Sequence, residues 1–232
     1  MKKLILSAAL LAVATMPIAA QDFSFSEGDI TTEVQVNPFG NDYDMFKISG
    51  LQGRYFFNDD TAIRLGLGLE VNTNKTTPSE DNKDVWSKGS TGMFSINLGL
   101  EKHFANYGRL DLYYGGELAF AHSWAKKIEQ KVVNDKKQET TYQNEFEGQR
   151  AETRFGINVF TGIDFFVYKG LYVGTELGLE FAYSIKPATY TKGDYDDHNN
   201  WSESKESDKV NKANGFNLGT FIKPALRLGW KF

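Results

Sequence analysis

The clearest alternation of side chains in this sequence is Thr61-Ala-Ile-Arg-Leu-Gly-Leu-Gly-Leu-Glu-Val-Asn-Thr73. From Ile63 to Val71 every second residue is a branched apolar one, and the residues between them are charged or glycine. Successive side chains of a strand point to opposite sides, so a strand separates the two kinds completely, whereas a helix would mix them. The stretch therefore predicts a β-strand with one apolar and one polar face.

The same period of two residues recurs along the chain and predicts an all-β fold. The predicted strands are Asp29–Asn37, Asp44–Phe57, Thr61–Thr73, Gly92–Phe104, Arg109–Trp124, Arg154–Val167, Leu171–Ile185 and Asn214–Phe232. The alternation changes phase within the second of these strands, which predicts a β-bulge near Ser49-Gly50. Eight strands are an even number, as an antiparallel ring requires.

The composition of the two faces distinguishes a membrane protein from a soluble one. A soluble lipocalin-like barrel or sandwich also alternates, but it would present its charged face to water. Here the polar face is rich in glycine and small residues with single charges, which suits the cramped interior of a narrow barrel. The apolar face is free of basic residues at mid-strand in the six clearest strands, as a bilayer requires. These features predict an eight-stranded antiparallel up-and-down transmembrane β-barrel.

The links between strands alternate in length. Those at Asn58–Asp60, Ala105–Gly108 and Tyr168–Gly170 are short. Three others are long and polar, and they span Asn74–Thr91, Ala125–Gln149 and Lys186–Ala213, while the first outer link, Pro38–Tyr43, is short. Short periplasmic turns and long extracellular loops are typical of outer-membrane barrels. We therefore expect both termini in the periplasm.

Aromatic residues fall near both ends of the predicted strands, where girdles at the membrane interfaces are expected. The predicted periplasmic girdle contains Tyr55, Phe57, Phe104, Tyr107, Phe165, Tyr168, Tyr172, Trp230 and Phe232. The predicted outer girdle contains Trp124, Phe155, Tyr183 and Phe216.

The start of the chain has the pattern of an export signal. Lys2 and Lys3 precede an apolar run from Leu4 to Met16, and small residues follow. This order predicts a secretory signal peptide over residues 1–20, cleaved after Ala20, with the barrel formed by residues 21–232. The chain contains no cysteine, so disulfides, thiolate metal sites and a lipid-modified cysteine are excluded.

The net charge of the chain indicates which kinds of partner it can bind. The formal net charge is −4, and loss of Lys2 and Lys3 makes the mature chain more acidic, which argues against a nucleic-acid partner. No cofactor or metal is expected. Aspartates near His198 lack the spacing of an EF-hand calcium loop.

The polar face carries the charges that we expect to line the barrel interior. They are Arg54, Arg64, Glu70, Glu101, Asp111, Glu117, Arg154, Asp164, Glu176, Glu180, Lys223 and Arg227. Unpaired charges are costly inside a barrel, so we expect a salt-bridged network. The network either fills the barrel as a polar plug or forms a selective ion path, and an eight-stranded interior favours the plug.

The last residues are Leu226-Arg-Leu-Gly-Trp230-Lys-Phe232. Leu226, Leu228, Trp230 and Phe232 alternate and end on a phenylalanine, which is similar to the terminal assembly signal of outer-membrane proteins. Over nearly the whole mature chain the layout resembles the small porin-family outer-membrane β-barrel domain proteins of Bacteroidetes, and distantly the OmpA and OmpX barrels. The resemblance implies the cell outer membrane of a Gram-negative bacterium as location. It implies outer-membrane lipid, lipopolysaccharide and the outer-membrane assembly machinery as partners, and a larger membrane complex is a further hypothesis.

For function we expect a non-enzymatic protein that contributes to envelope integrity or to surface interaction through its long loops. Charged loops are often only solvated, but Trp86, Tyr190, Tyr195 and Trp201 are candidate binding residues within them. The alternative is a porin-like channel for small solutes or ions. A lipid-modifying enzyme is a minor alternative with no catalytic residues assigned, because adjacent His122 and Ser123 would point to opposite sides of a strand.

Overall fold

The structure is a computed structural model that describes residues 23–36, 48–77, 85–133, 136–146, 148–197, 200–203 and 207–232. The predicted signal peptide and the first outer link lie outside these residues. Eight strands form a ring: β1 (Ile30–Val36), β2 (Ile48–Asn58), β3 (Thr61–Thr76), β4 (Trp86–Tyr107), β5 (Leu110–Val133), β9 (Glu152–Tyr168), β10 (Leu171–Lys186) and β14 (Ala213–Lys231). Six shorter strands are β6 (Lys136–Gln143), β7 (Glu145–Phe146), β8 (Gln149–Arg150), β11 (Thr189–Asp197), β12 (Asn200–Glu203) and β13 (Ser207–Val210).

The ring follows from the pairing of each strand with two neighbours. Strands β1 to β5 pair in chain order, β5 pairs with β9, β9 with β10, β10 with β14, and β14 with β1. All of these pairings are antiparallel. The prediction of eight antiparallel strands is therefore confirmed, and the described residues contain no helix with the length and apolar character needed to cross a membrane.

The predicted bulge lies where the alternation changes phase. In the pairing of β1 with β2, Gln35 lies opposite Gly50 and Val36 lies opposite Ile48, so Ser49 has no opposite residue. The prediction near Ser49-Gly50 is confirmed. The extra residue restores the apolar side chains of β2 to the outer face, because it shifts the parity of all residues after it.

The short links are tight turns at one end of the ring, which we call the turn end. They consist of residues 59–60, 108–109 and 169–170. Gly108 and Lys169 adopt positive φ angles of 65° and 47°, as such turns require. Ala105 to Tyr107 belong to β4, so this link is even shorter than predicted.

The opposite end, which we call the extended end, differs from the prediction. The segments predicted as long loops are largely strand: β3, β4 and β5 continue beyond the predicted boundaries, β6 pairs with β5, and β11 pairs with β6. Apolar alternation stops where both faces of a sheet meet water, but the backbone ladder continues through residues such as Thr140 and Tyr142 that favour strands. The predicted boundaries were therefore wrong at this end because they followed hydrophobicity alone.

The two faces of the ring have opposite character. Leu69 is 72% exposed and Leu118 is 63% exposed on the outside, whereas Arg64 is 1% exposed on the inside. A soluble protein shows the reverse distribution, because arginine is seldom buried and large apolar patches are seldom exposed. Every ring strand carries at least one exposed large apolar residue.

The residues predicted for the girdle at the turn end lie on the outer face of the ring, with one exception. Tyr55, Phe57, Phe104 and Trp230 are exposed on the outer face. Tyr172 is fully buried and points inward, so its assignment to the girdle was wrong. Tyr172 shares parity with the inward residues Gly174 and Glu176, so alternation along β10 places it inside, whereas its assignment to the girdle used only its closeness to the turn.

Candidate functional site

The interior of the ring holds a network of buried ion pairs, which we call the central network. It contains three arginines and five carboxylates, contributed by all eight ring strands: Glu33, Arg54, Arg64, Glu101, Glu117, Asp164, Glu176 and Arg227. The pairs join strands that are not neighbours in the sheet, such as β2 with β9 and β3 with β10. Side chains can do this only across the interior of the ring.

Arg54 and Arg227 share two carboxylates near the turn end. The Nε atom of Arg54 lies 2.7 Å from Glu33 Oε1, and its Nη2 atom lies 2.9 Å from Asp164 Oδ2. Arg227 approaches the other oxygens of the same groups, at 3.2 Å from Glu33 Oε2 and 2.8 Å from Asp164 Oδ1. Two guanidiniums and two carboxylates thus form a closed square in which all four carboxylate oxygens are used.

Arg64 shares Glu101 with Arg54 and so links this square to Glu117 and Glu176. Its Nη1 atom lies 2.8 Å from Glu101 Oε1 and 2.9 Å from Glu176 Oε2, and its Nε atom lies 3.1 Å from Glu117 Oε2. Glu101 also reaches Arg54 Nη1 at 3.1 Å. Arg227 also lies 3.5 Å from Glu176, so each arginine contacts three carboxylates, and removal of one side chain would leave several buried charges short of a partner.

Neutral groups complete the hydrogen bonds of the network. The Tyr172 hydroxyl donates to Glu33 Oε1 at 2.8 Å, and the Asn158 amide donates to Glu117 Oε1 at 2.8 Å. Tyr113 donates to Glu176 and accepts from Arg227. Buried charges are tolerated when they are paired and hydrogen-bonded in this way.

Glycines on the inner face provide the space for these side chains. A Cβ at Gly162 would overlap the Tyr113 hydroxyl, and a Cβ at Gly174 would overlap the Asp164–Arg227 pair. The inward glycines of the sequence therefore match particular large side chains on neighbouring strands.

An aromatic cluster lies between the network and the turn end. The chain before β1 enters the ring there and buries Phe23 and Phe25. The Phe25 ring stacks on Phe56 with centroids 4.4 Å apart, and Arg54 Cζ lies 4.9 Å from the centroid of Phe25. We call Phe23 to Asp29 the N-terminal segment.

Hydrogen bonds hold the N-terminal segment to three parts of the ring. Gly28 N donates to Phe56 O at 2.8 Å, Asn106 Nδ2 donates to Phe23 O at 3.0 Å, and Lys231 Nζ donates to Ser24 O at 2.6 Å. This segment was not predicted from the sequence, because Phe23 and Phe25 precede the first predicted strand. Their alternation with serine was the available signal.

Two turn-end pairs belong to the same region. The buried His103 contacts Asp111 and lies 3.5 Å from Glu101. On the surface, Lys102 Nζ lies 2.6 Å from Asp60 Oδ1, and its hydrogen bond lowers the pKa of Asp60. Asp60 is in a turn exposed to water, so this pair is screened.

The half of the interior toward the extended end is less filled. Arg154 and Glu180 pair there at 3.2 Å and are partly exposed. They adjoin two cavities of about 220 and 360 Å³ that are lined mainly by polar residues. Glu70 is also partly buried and accepts a hydrogen bond from Asn72 at 3.0 Å. Arg154, Glu180 and Glu70 therefore lie on the inner face of the ring, as predicted, but apart from the central network.

A hairpin of β7 and β8 packs against the sheet and the chain at the extended end. Phe146 lies against the inner face of β4 at Gly89, where an added Cβ atom would collide with the aromatic ring of Phe146. Arg150 donates to the carbonyls of Pro187 and Asn211, and Asn144 donates to Ala188 O at 2.8 Å. At the base of this extension, Lys127 donates a hydrogen bond that lowers the pKa of Glu129.

The remaining predicted residues are dispersed. Lys223 lies opposite Glu176 in the register of β14 with β10, and Leu226 lies opposite Val36, but their side chains are outside the described part. Leu228, Trp230 and Phe232 point outward and are exposed. The role of the terminal residues in assembly stays a prediction.

The two candidate loop residues with described side chains, Trp86 and Tyr190, lie on strands that do not pair with each other. Trp86 lies on β4 beside Lys75, and Tyr190 lies on β11 opposite Gln143. Tyr195 and Trp201 lie on the paired strands β11 and β12, where side chains are outside the description. His122 bonds Thr153, and Ser123 bonds the Glu152 backbone, so neither contacts the other.

An antiparallel ring with an apolar exterior and a charged, hydrogen-bonded interior defines the β-sheet class of membrane proteins. Within this class, residues 34–232 match the "Putative OmpA-OmpF-like porin family", and the chain belongs to this family. The family assignment supports a location in the outer membrane.

Comparison with solved structures finds outer membrane protein AlkL, determined by solid-state NMR in DMPC lipid bilayers. Its sequence identity is 10%, the match covers 94% of this chain and 96% of that chain, and the TM-score is 0.35. Comparison with curated proteins yields no match. Among the described residues, no group of three or more histidine or acidic side chains has the arrangement of a metal site.

Proposed function

We propose that the protein is a non-enzymatic β-barrel that spans the outer membrane, has a closed lumen, and contributes to envelope integrity or surface interaction through its extended end. The exposed apolar wall supports the membrane-spanning role, because it includes residues of all eight ring strands. The turn end, with both termini, lies in the periplasm. The extended end lies outside, since long strands and links at one end are typical of the extracellular side.

The observation that carries the closed lumen is the central network. Arg54, Arg64 and Arg227 are each at most 2% exposed and meet carboxylates from opposite walls. An eight-stranded barrel has an interior just wide enough for side chains, so three guanidiniums with their partners occupy its cross-section. The Phe25 cluster adds a second, apolar layer on the periplasmic side.

Stability is the direct benefit of such an interior. A narrow barrel without a lumen path resists leakage of solutes and holds its strands by cross-ring ion pairs. The N-terminal segment adds backbone hydrogen bonds at the turn end. The rigid ring then supports the extended strands, where binding to other surface molecules is expected.

A porin-like channel is the second candidate. The two polar cavities beside Arg154 favour it, because they could admit a small solute from outside. Passage would still require movement of Arg64 and Glu117, which lie beyond the cavities. A lipid-modifying enzyme finds less support, because His122 and Ser123 are bonded to other groups.

Partners follow from the location. We propose contact with outer-membrane lipid and lipopolysaccharide along the wall, and recognition of the terminal strand by the outer-membrane assembly machinery. Association with a larger membrane complex is a further hypothesis that purification under mild detergent would test. No nucleic-acid partner is proposed.

Single-channel recording in planar bilayers tests the closed lumen. Refolded protein is expected to give no reproducible openings, and Lys169→Gln, at an exposed turn residue, serves as the control for charge. Reproducible openings that change with Arg64→Gln or Glu117→Gln, but not with Lys169→Gln, would overturn the closed lumen and establish the channel.

A further inference from the structure

Three lysines lie together on the outward face at the extended end. Lys75 of β3 is directly opposite Lys88 of β4. Lys126 of β5 is opposite Ser90, which lies two residues from Lys88 on the same face of β4. Opposite residues have Cβ atoms roughly 5 Å apart and diagonal ones roughly 7 to 8 Å apart. We call Lys75, Lys88 and Lys126 the lysine triad.

The triad is unusual because like charges directly opposite each other destabilise a sheet. All three side chains are exposed. Lys75 Nζ lies 5.5 Å from the centroid of the Trp86 ring. Within the described part of the chain, none of the three forms an ion pair with a carboxylate. An anion from outside the protein would relieve their repulsion.

Several other lysines of the ring and its extension do form ion pairs with carboxylates. At the extended end, Lys127 and Lys131 pair with Glu129, and Lys186 pairs with Glu152. At the turn end, Lys231 pairs with Asp29. The triad is therefore a positive patch that these internal pairs do not neutralise.

The position of the triad relative to the apolar wall identifies the kind of anion. Along β3 the outward residues after Val71 are Thr73 and Lys75, and along β5 the outward residue after Trp124 is Lys126. Outward positions are roughly 6.6 Å apart along a strand. The ammonium groups therefore lie just beyond the apolar band and the Trp124 ring, at the depth of lipid headgroups.

We propose that the lysine triad binds the phosphate groups of lipopolysaccharide in the outer leaflet. This inference rests on the proposed membrane orientation, and it assigns a site that the barrel fold alone does not require. Ammonium groups form charge-assisted hydrogen bonds with phosphate oxygens. Long lysine stems let the groups reach the headgroups while the methylenes lie on apolar surface. The acyl chains then pack on the wall below, at Phe94 and Val71.

The test is binding of diphosphoryl lipid A to the folded protein in detergent micelles, counted by native mass spectrometry. The variant is Lys75→Gln/Lys88→Gln/Lys126→Gln. The matched control, Lys131→Gln/Lys169→Gln/Lys212→Gln, removes the same charge from other exposed positions. Each lysine at an anionic surface contributes about a fivefold gain in affinity, so the triad variant is expected to bind about a hundredfold more weakly.

The control is expected to bind like the wild type, and phosphate-free lipid A is expected to bind like the triad variant. Equal binding by the wild type and the triad variant would overturn the proposal. So would full competition by millimolar inorganic phosphate, which would indicate a free-anion site. Failure of the proposed orientation would be seen separately: the chain lacks cysteine, so Asp59→Cys and Lys131→Cys report sidedness by labelling on intact cells.

Discussion

Replacement of Arg64 by methionine is the most informative perturbation of the interior. Methionine keeps much of the length and packing of the side chain but removes the guanidinium. Glu101, Glu117 and Glu176 each lie within 3.1 Å of Arg64 and would lose this partner while staying buried. Removing one partner of a buried ion pair costs about 3 to 5 kcal/mol, because it leaves an uncompensated buried charge.

Arg154→Met is the matched control. Arg154 also points inward, but it is partly exposed, and its ion pair is with Glu180 at 3.2 Å. Pairs of this kind contribute about 0 to 1 kcal/mol. Urea unfolding of both variants in lipid vesicles, followed by the mobility difference between folded and unfolded bands on gels, gives the two free energies. Losses that agree within about 1 kcal/mol, the upper value for an exposed pair, would show that the three buried carboxylates do not depend on Arg64.

Three further predictions concern the ends of the molecule. Phe25→Ala is expected to lower the free energy of unfolding by about 3 to 5 kcal/mol, because the Phe25 ring is buried inside the turn end. Phe57→Ala, at an exposed phenylalanine, is the control in the same vesicle assay. Lys102→Gln is expected to raise the pKa of Asp60 toward its ordinary value of 3.8, as measured by NMR titration of the Asp60 carboxyl. The stability that this ion pair contributes is fully present above the pKa of Asp60 in the unfolded chain. It is lost as the pH falls through the lower pKa of Asp60 in the folded protein. Deletion of Phe232 is expected to reduce outer-membrane assembly in cells while refolding in vitro continues, and normal assembly would count against the terminal signal.

The sequence predicted the ring because alternation is strongest where one face meets lipid and the other a crowded interior. Thr61–Thr73 illustrates this, since each of its outward residues from Ile63 to Val71 is exposed in the structure. The inward set was predictable by parity alone, and Arg54, Arg64 and Arg227 follow from it. Glu33 was missed because its strand is short and its apolar face is weak, although it shares parity with Thr31.

Two features could not be predicted from alternation. The N-terminal segment alternates phenylalanine with serine only from Phe23 to Ser26, and its burial depends on space at the turn end that only the assembled ring creates. The extended strands are polar on both faces, so hydrophobicity carries no signal there. The lysine triad depends on the cross-strand register of Lys75 with Lys88, which is a property of the pairing and not of either strand.

We propose that the ring spans a bilayer with its apolar face toward lipid and its charged face inside. The direct measurement is a nitroxide scan of residues 62 to 71 in β3, one cysteine at a time, in lipid vesicles. High oxygen accessibility is expected at 63, 65, 67, 69 and 71, and low accessibility at the positions between them. High accessibility to a water-soluble nickel complex at the odd positions, or the absence of a two-residue period, would contradict it.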